Sequence, residues 1–372
     1  MKLYEFNENE ISKDKTRFLF GCELSELNEP VTPKDNMIMA IETKRPVFLP
    51  STFDIGYLFP QCVPDNPAKG NVSDAKLPVE MLGGKDMFGI EWEYVPQVGG
   101  STTRPGNPLL EDANDWPEKV VFPTREVIDS WDWETCAKRH ETLLRDKDMV
   151  EVVICTGFFE RLISFMDFEE AAVAMIDEDQ QDAIKDLFDK LADLYIMLVD
   201  KYMEVFPGRI DAVCLHDDWG HQRGVFFSKD TLYEMIVPYM KKCTDYFKSK
   251  GLYTEVHSCG KIDSLMQVYI DAGFQMLECQ SILNFQETVR EYGDRIVIHY
   301  PPAIAPEDIN APAEEHIAKA REYVDTCLSF GYPIMMDNYY APLLNRIFTD
   351  EVYRYSRQRY YEIYLEEEKK AI

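Results

Sequence analysis

The chain has 372 residues, 45% of them hydrophobic, and a formal net charge of −28. That charge argues against a nucleic-acid binder, which needs a basic face to neutralise phosphates, and disfavours a heavily anionic substrate. No apolar run approaches the roughly 18 residues of a membrane span, and the polar, acidic start MKLYEFNENEISKDK does not read as a secretory signal, so a cytoplasmic protein is expected.

Residues 1–45 read as an N-terminal extension of short polar and amphipathic pieces, and Lys44–Pro50 as a first short strand entering the main domain, 46–372. From about 51 to 120 the chain is rich in proline, glycine and aromatic residues, as in TFDIGYLFPQCVPDNPAKG. A stretch this long is expected to be a lid or pocket wall, or else a surface insertion. KVVFPT, from 119, is a weak strand candidate. The segment TREVIDSWDWETCAKRHETLL is helical in pattern, VEVVIC is a continuous apolar strand, and DAIKDLFDKLADLYIMLVDKYMEVF repeats apolar residues at three and four, as a helix packed on one side does.

The second half then alternates. Strand IDAVCLH leads to a helix that Ser228 can cap and Gly251 can close. Strand YTEVH, helix KIDSLMQVYIDA, strand FQMLE, helix FQETVREY, strand RIVIH, helix AEEHIAKAREYVDTCLSF, strand PIMMD and a last helix from about Asp350 to Glu368 follow. Such alternation implies parallel strands with helical crossovers, and apolar strands imply a sheet buried on both faces. With seven convincing strands, a weak eighth and no glycine-rich phosphate turn after the first, a closed (β/α)8 TIM barrel with long loop insertions is expected.

In such a barrel the chemistry sits at the C-terminal ends of the strands. Those ends carry Asp217 and Asp218, His257 and Cys259, Glu278 and Gln280, His299 and Tyr300, and Asp337 before Tyr339 and Tyr340. Zinc takes imidazole nitrogen, thiolate sulfur and carboxylate oxygen, and a catalytic site keeps one position open. His257, Cys259, Glu278 and His299 offer that mixture. The alternatives are a polar pair lining a pocket for His257 and Cys259, and direct substrate contact for Glu278 and His299. Adjacent residues of a strand face opposite ways, so one of Asp217 and Asp218 is expected at the mouth, to orient substrate or act as a general acid, and the other to cap the loop WGHQRG. Trp219, Gln280, Tyr300, Asp337, Tyr339 and Tyr340 are candidate substrate contacts. The nine scattered cysteines fit reduced thiols, mostly small core residues. His140 and His316, in helical patterns, are expected to face solvent.

These residues resemble the uroporphyrinogen decarboxylase superfamily, in particular its corrinoid-dependent methyltransferase branch, over roughly residues 45–365. The resemblance is strongest at TGFFERLISFMDFEEAAVAMIDE, DDWGHQRGVFFSKDTLYEMIVPYMKK and VHSCGKIDSLMQVYIDAGFQMLECQ. It implies methyl transfer to or from a corrinoid protein, with His-x-Cys and a further cysteine near the last strand as zinc ligands. His257-Ser258-Cys259 matches, whereas PIMMDNYY holds no cysteine and Asp337 is nearest. Members that cleave aryl methyl ethers use other ligand sets, one spaced Glu-x14-Glu-x20-His, and Asp263, Glu278 and His299 fit that spacing with Asp in place of the first Glu, although a carboxylate in the first turn of a helix is also expected as a dipole partner. True uroporphyrinogen decarboxylases carry an arginine-rich segment where this chain has TKRPVFLPSTFDIGYL. The resemblance therefore implies a zinc-dependent methyltransferase that moves a methyl group from a small donor, an aryl methyl ether, to Co(I). The cobalamin would sit on a separate corrinoid protein, because no Asp-x-His-x-x-Gly element is present, and a homodimer is compatible. A metal-free decarboxylase and a non-catalytic scaffold for a ligand or corrinoid protein are the rival readings.

Overall fold

The computed structural model describes residues 3–65, 82–96, 100–141, 144–337 and 343–371. Its main sheet contains seven strands, here β1 (Ile55–Leu58), β2 (Met149–Ile154), β3 (Ala212–His216), β4 (Tyr253–Ser258), β5 (Met276–Cys279), β6 (Val297–Tyr300) and β7 (Met335–Met336). Within one compact unit of the chain β2, β3, β4 and β5 lie side by side in chain order, and within the other β6 lies beside β7. Parallel pairing links β2 to β3, β3 to β4, β4 to β5 and β6 to β7. This is the TIM-barrel-like α/β fold expected from strands separated by helices.

Two strand expectations fail. The first barrel strand begins at Ile55, beyond Lys44–Pro50, which runs without regular structure except for the bridge of Ser51 to Met336 just after it. KVVFPT supplies no eighth strand: Lys119 ends the helix Trp116–Lys119, which has proline in its first turn, and residues 120–124 are irregular. Pro123 has no N–H to give a ladder, which explains why so short a run does not pair.

The chain divides into two compact units. One comprises Met1–Ile55, Asp146–Met149 and Asn284–Ile372. Within it the strands Ile11–Leu19 and Cys22–Leu27 form an antiparallel hairpin. Buried Arg357, on the long helix Arg346–Ala371, donates to both carboxylate oxygens of Glu10 at 2.9 and 3.0 Å, and Tyr353 donates to the same carboxylate at 2.7 Å. Removing either partner of such a pair would leave an uncompensated buried charge, so this contact fixes the hairpin on the helix. His316 is buried, 2.8 Å from the Asn345 side chain, because the apolar face of its helix carries it inward.

The other unit comprises Gly56–Arg145 and Val150–Leu283. The proline-rich region includes an antiparallel three-stranded sheet of Gly84–Lys85, Glu91–Val95 and Gly100–Thr103. Asp86 organises its first turn, accepting from the Phe88 and Ile90 amides and from Trp92 Nε1. His140, expected in solvent, is buried, with Nδ1 2.9 Å from the Cys136 carbonyl. All nine cysteines are free, and seven are buried. No helix among the described residues is long and apolar enough to cross a membrane.

Candidate metal centre

The register of the second unit lines up three polar side chains. His216 at the end of β3 stands opposite His257 on β4, and His257 stands opposite Glu278 on β5. Register partners on parallel strands point to the same face, so the three form one row. The two imidazoles stack, ring centroids 4.2 Å apart and planes 11° apart. Each ring is held from behind by a carboxylate: Glu160 lies 2.7 Å from His216 Nδ1, and Glu278 lies 3.0 Å from His257 Nδ1. Glu160 comes from the helix Phe158–Met166 that follows β2.

Two residues past His216, Asp218 returns to the same side. Its Oδ1 accepts the Cys259 amide at 2.7 Å and lies 3.9 Å from His257 Nε2. One ligand atom from each of His216, Asp218 and His257 lies within 4.8 Å of the others. The Cys259 sulfur lies 3.4 Å from His257 Nε2.

Electrostatics ties the group together. Burial works against a charged imidazole at His257, yet Glu278 and the Cys259 thiol outweigh it and hold the ring well above its ordinary value. His216 is shifted the same way, burial opposing and Glu160 prevailing. Burial raises the Glu160 carboxyl despite His216 beside it. Burial also raises the Cys259 thiol, with His257 pulling it back in part.

The donor set fits zinc. Two imidazoles and a carboxylate converge, a thiol is adjacent, and carboxylates bind the remaining imidazole nitrogens in the way that orients histidine ligands. The fit differs from the expected set. Glu278 serves His257 in place of a position in the group, and Cys259 flanks it. His299 is fully buried on β6, a strand of the other compact unit. Asp263 pairs with Lys261 at 3.4 Å.

Of the expected catalytic pair, Asp218 alone reaches this row. Asp217 is fully buried and accepts from the amides of Phe159 and Glu160 and from Trp219 Nε1. It caps the helix Phe158–Met166, whose own N-cap, Gly157, has no side chain to do so. Trp219 is likewise no substrate contact: fully buried, it stacks on Tyr269 with centroids 4.7 Å apart. Gln280 accepts the Gly260 amide at 3.0 Å and so holds the turn after β4. Tyr300 packs its ring among Phe285, Tyr323 and Phe330, and Asp337 is buried with its amide donating to the Tyr300 carbonyl. Tyr339 and Tyr340 lie outside the described residues.

Sequence reasoning missed His216 and Glu160. The signal for His216 was present: IDAVCLH ends on a histidine as the next strand ends on VHSC, and adjacent strands of a parallel sheet place such ends side by side.

The chain resembles known proteins at two levels. In structure it is similar to a methyltransferase from Methanosarcina mazei, at a TM-score of 0.55 and 13% identity over 89% of this chain and 99% of that one. A glycoside hydrolase family 10 endo-β-1,4-xylanase from Gloeophyllum trabeum is more distant, at a TM-score of 0.34 and 12% identity over 58% of this chain and 69% of that one. At these identities the likeness concerns the fold. No curated protein matches in sequence. The family model for uroporphyrinogen decarboxylase (URO-D) matches residues 72–324, more than half of the chain, and the chain belongs to that family.

Proposed function

We propose that the protein is a metal-dependent methyltransferase that takes a methyl group from a small methylated substrate, an aryl methyl ether, for transfer to Co(I) on a separate corrinoid protein. The observation that carries this reading is the pair of strand-end imidazoles, each fixed through Nδ1 by a carboxylate, converging with Asp218. Family membership and the fold shared with a methyltransferase support it.

His216, Asp218 and His257 would hold zinc, with Cys259 beside them as a further donor. When bound, zinc supplies Lewis acidity toward the ether oxygen and the developing oxyanion. The chain's own residues do the rest. Glu160 and Glu278 keep both rings turned with Nδ1 away from the group, which leaves Nε2 as the nitrogen toward a ligand. The Cys259 amide fixes Asp218 from the other side. Asp218 thereby serves as a ligand-type carboxylate in place of the proton donor that its position at a strand end suggests. The buried Trp219–Tyr269 stack and the Asp217 cap hold the residues on either side of Asp218.

The test combines metal analysis with turnover. Protein prepared without chelator should contain zinc and, with reduced corrinoid protein, should demethylate a methoxylated aromatic. His216→Ala combined with His257→Ala should abolish turnover and remove an equivalent of zinc. Unchanged zinc content after both changes would overturn the ligand assignment. Release of carbon dioxide from a small acid without methyl transfer would favour metal-free decarboxylation.

A further inference from the structure

Two residues before His216 and His257, the same strands carry Cys214 and Glu255, which are themselves register partners. Because side chains alternate, this is the next row on the same face, about 7 Å closer to the strand starts. Glu151 on β2 reaches the same place: one ligand atom from each of Glu151, Cys214 and Glu255 lies within 4.8 Å of the others. Glu151 and Glu255 are 0% exposed and Cys214 is 2% exposed.

Nothing in the proposed methyl transfer uses this group, and it is expensive to keep. A carboxylate removed from water costs several kcal/mol unless a partner or cation compensates it. Both carboxyl oxygens of Glu151 are buried without a hydrogen-bond partner among the described residues. The position therefore calls for either protons or a positive ion. A thiol beside two carboxyl groups is a donor set for a borderline divalent ion such as zinc, and less so for magnesium or calcium.

We propose that Glu151, Cys214 and Glu255 form a second divalent-cation site of the zinc type, one row beneath the group of His216, Asp218 and His257. A separation of about 7 Å exceeds the roughly 3.5–4 Å at which two metals share one substrate. The lower ion thus acts by offsetting charge and bracing β2, β3 and β4 against one another.

The full chain, stripped with chelator and titrated with zinc alone, tests this by metal count. Wild type should take up two equivalents, Glu151→Gln one, the His216→Ala and His257→Ala double variant one, and the triple combination none. Glutamine matches glutamate in shape, and circular dichroism checks that the variant folds. If it does not fold, Cys214→Ala, a smaller change, is read by the same count. Either of two results would overturn the proposal. One is a single wild-type equivalent that the histidine variants remove. The other is two equivalents that persist in both Glu151→Gln and Cys214→Ala. Because the histidine variants report on the upper group alone, failure of the lower site is distinguishable from failure of the methyltransferase reading.

Discussion

His216 and His257 stack face to face from adjacent strands, and each has its Nδ1 against a carboxylate of a different element, Glu160 for one and Glu278 for the other. Two imidazoles this close would repel if both were charged. The paired carboxylates ease that repulsion in the metal-free protein, and with a metal bound they raise the basicity of each ring. Replacing Glu278 or Glu160 by glutamine keeps a hydrogen-bonding side chain but removes the charge. Each variant should bind zinc about 10–100-fold more weakly than wild type. Competition with a chromophoric chelator measures the difference, and wild-type affinity in both variants would show that the carboxylates do not support the rings.

Asp217 sets a pH dependence of a definite sign. Burial, and then Glu160, push its carboxyl up to about 7, although three donors pull it down. The folded chain thus holds a proton on Asp217 that the unfolded chain releases near the ordinary value of about 4. Stability from this group is full below about pH 4 and declines as pH rises toward 7. An asparagine in its place does not titrate, so the stability of wild type minus that of Asp217→Asn should fall between pH 4 and 7 by on the order of 4 kcal/mol and then level off. Urea titrations of metal-free protein at several pH values measure it. A rising or flat difference would contradict the burial argument.

The three-stranded excursion depends on one buried cation. Arg161 donates to Asp65 at 2.8 Å and to Asp86 at 2.6 Å, and its guanidinium lies 4.9 Å from the centroid of the Phe88 ring. Asp86 also receives Trp92 Nε1 at 3.0 Å, so one carboxylate joins the excursion to the helix after β2. Asp86→Ala leaves Arg161 half-neutralised and an indole N–H unpaired, and should cost about 3–5 kcal/mol. Arg161→Met in the same background should recover part of that loss, because the stranded charge is gone. A urea series on the single and double variants decides between a true ion pair and mere packing.

The strands are legible where the sequence holds a short, nearly continuous apolar run, as in VEVVIC and IDAVCLH, because a sheet buried on both faces leaves that trace. The hairpin of Ile11–Leu19 with Cys22–Leu27 was not, since its first strand is mostly exposed and carries no apolar alternation. Period two told which residues share a face but not how deep they sit. Hence Asp218 and His257 fall in the group and Asp217, its neighbour of opposite facing, does not, whereas Trp219, a candidate substrate contact, is buried. His216 needed register, which one strand alone does not reveal. His140 and His316 looked solvent-facing because histidine is polar, yet each finds a partner inside.

Gly260 is the hinge on which the turn after β4 closes. Its φ of +95° lies in the left-handed region, and a Cβ there would stand 2.3 Å from the Gly220 carbonyl carbon and 2.4 Å from the His221 nitrogen. Those atoms are backbone of the short hairpin Gly220–His221 with Gly224–Val225, so nothing nearby can rotate away. Gly251, after the helix Val237–Ser249, has a φ of +81° but open space around the added carbon. Gly251→Ala should therefore cost only the backbone term, about 1–2 kcal/mol. Gly260→Ala should cost more than that, since backbone must shift as well as strain. The same shift moves the neighbouring Cys259 amide off Asp218, so zinc affinity should fall in Gly260→Ala and stay unchanged in Gly251→Ala. Equal stability losses in the two variants, with zinc affinity intact in both, would show that the close approach to Gly220 does not constrain the site.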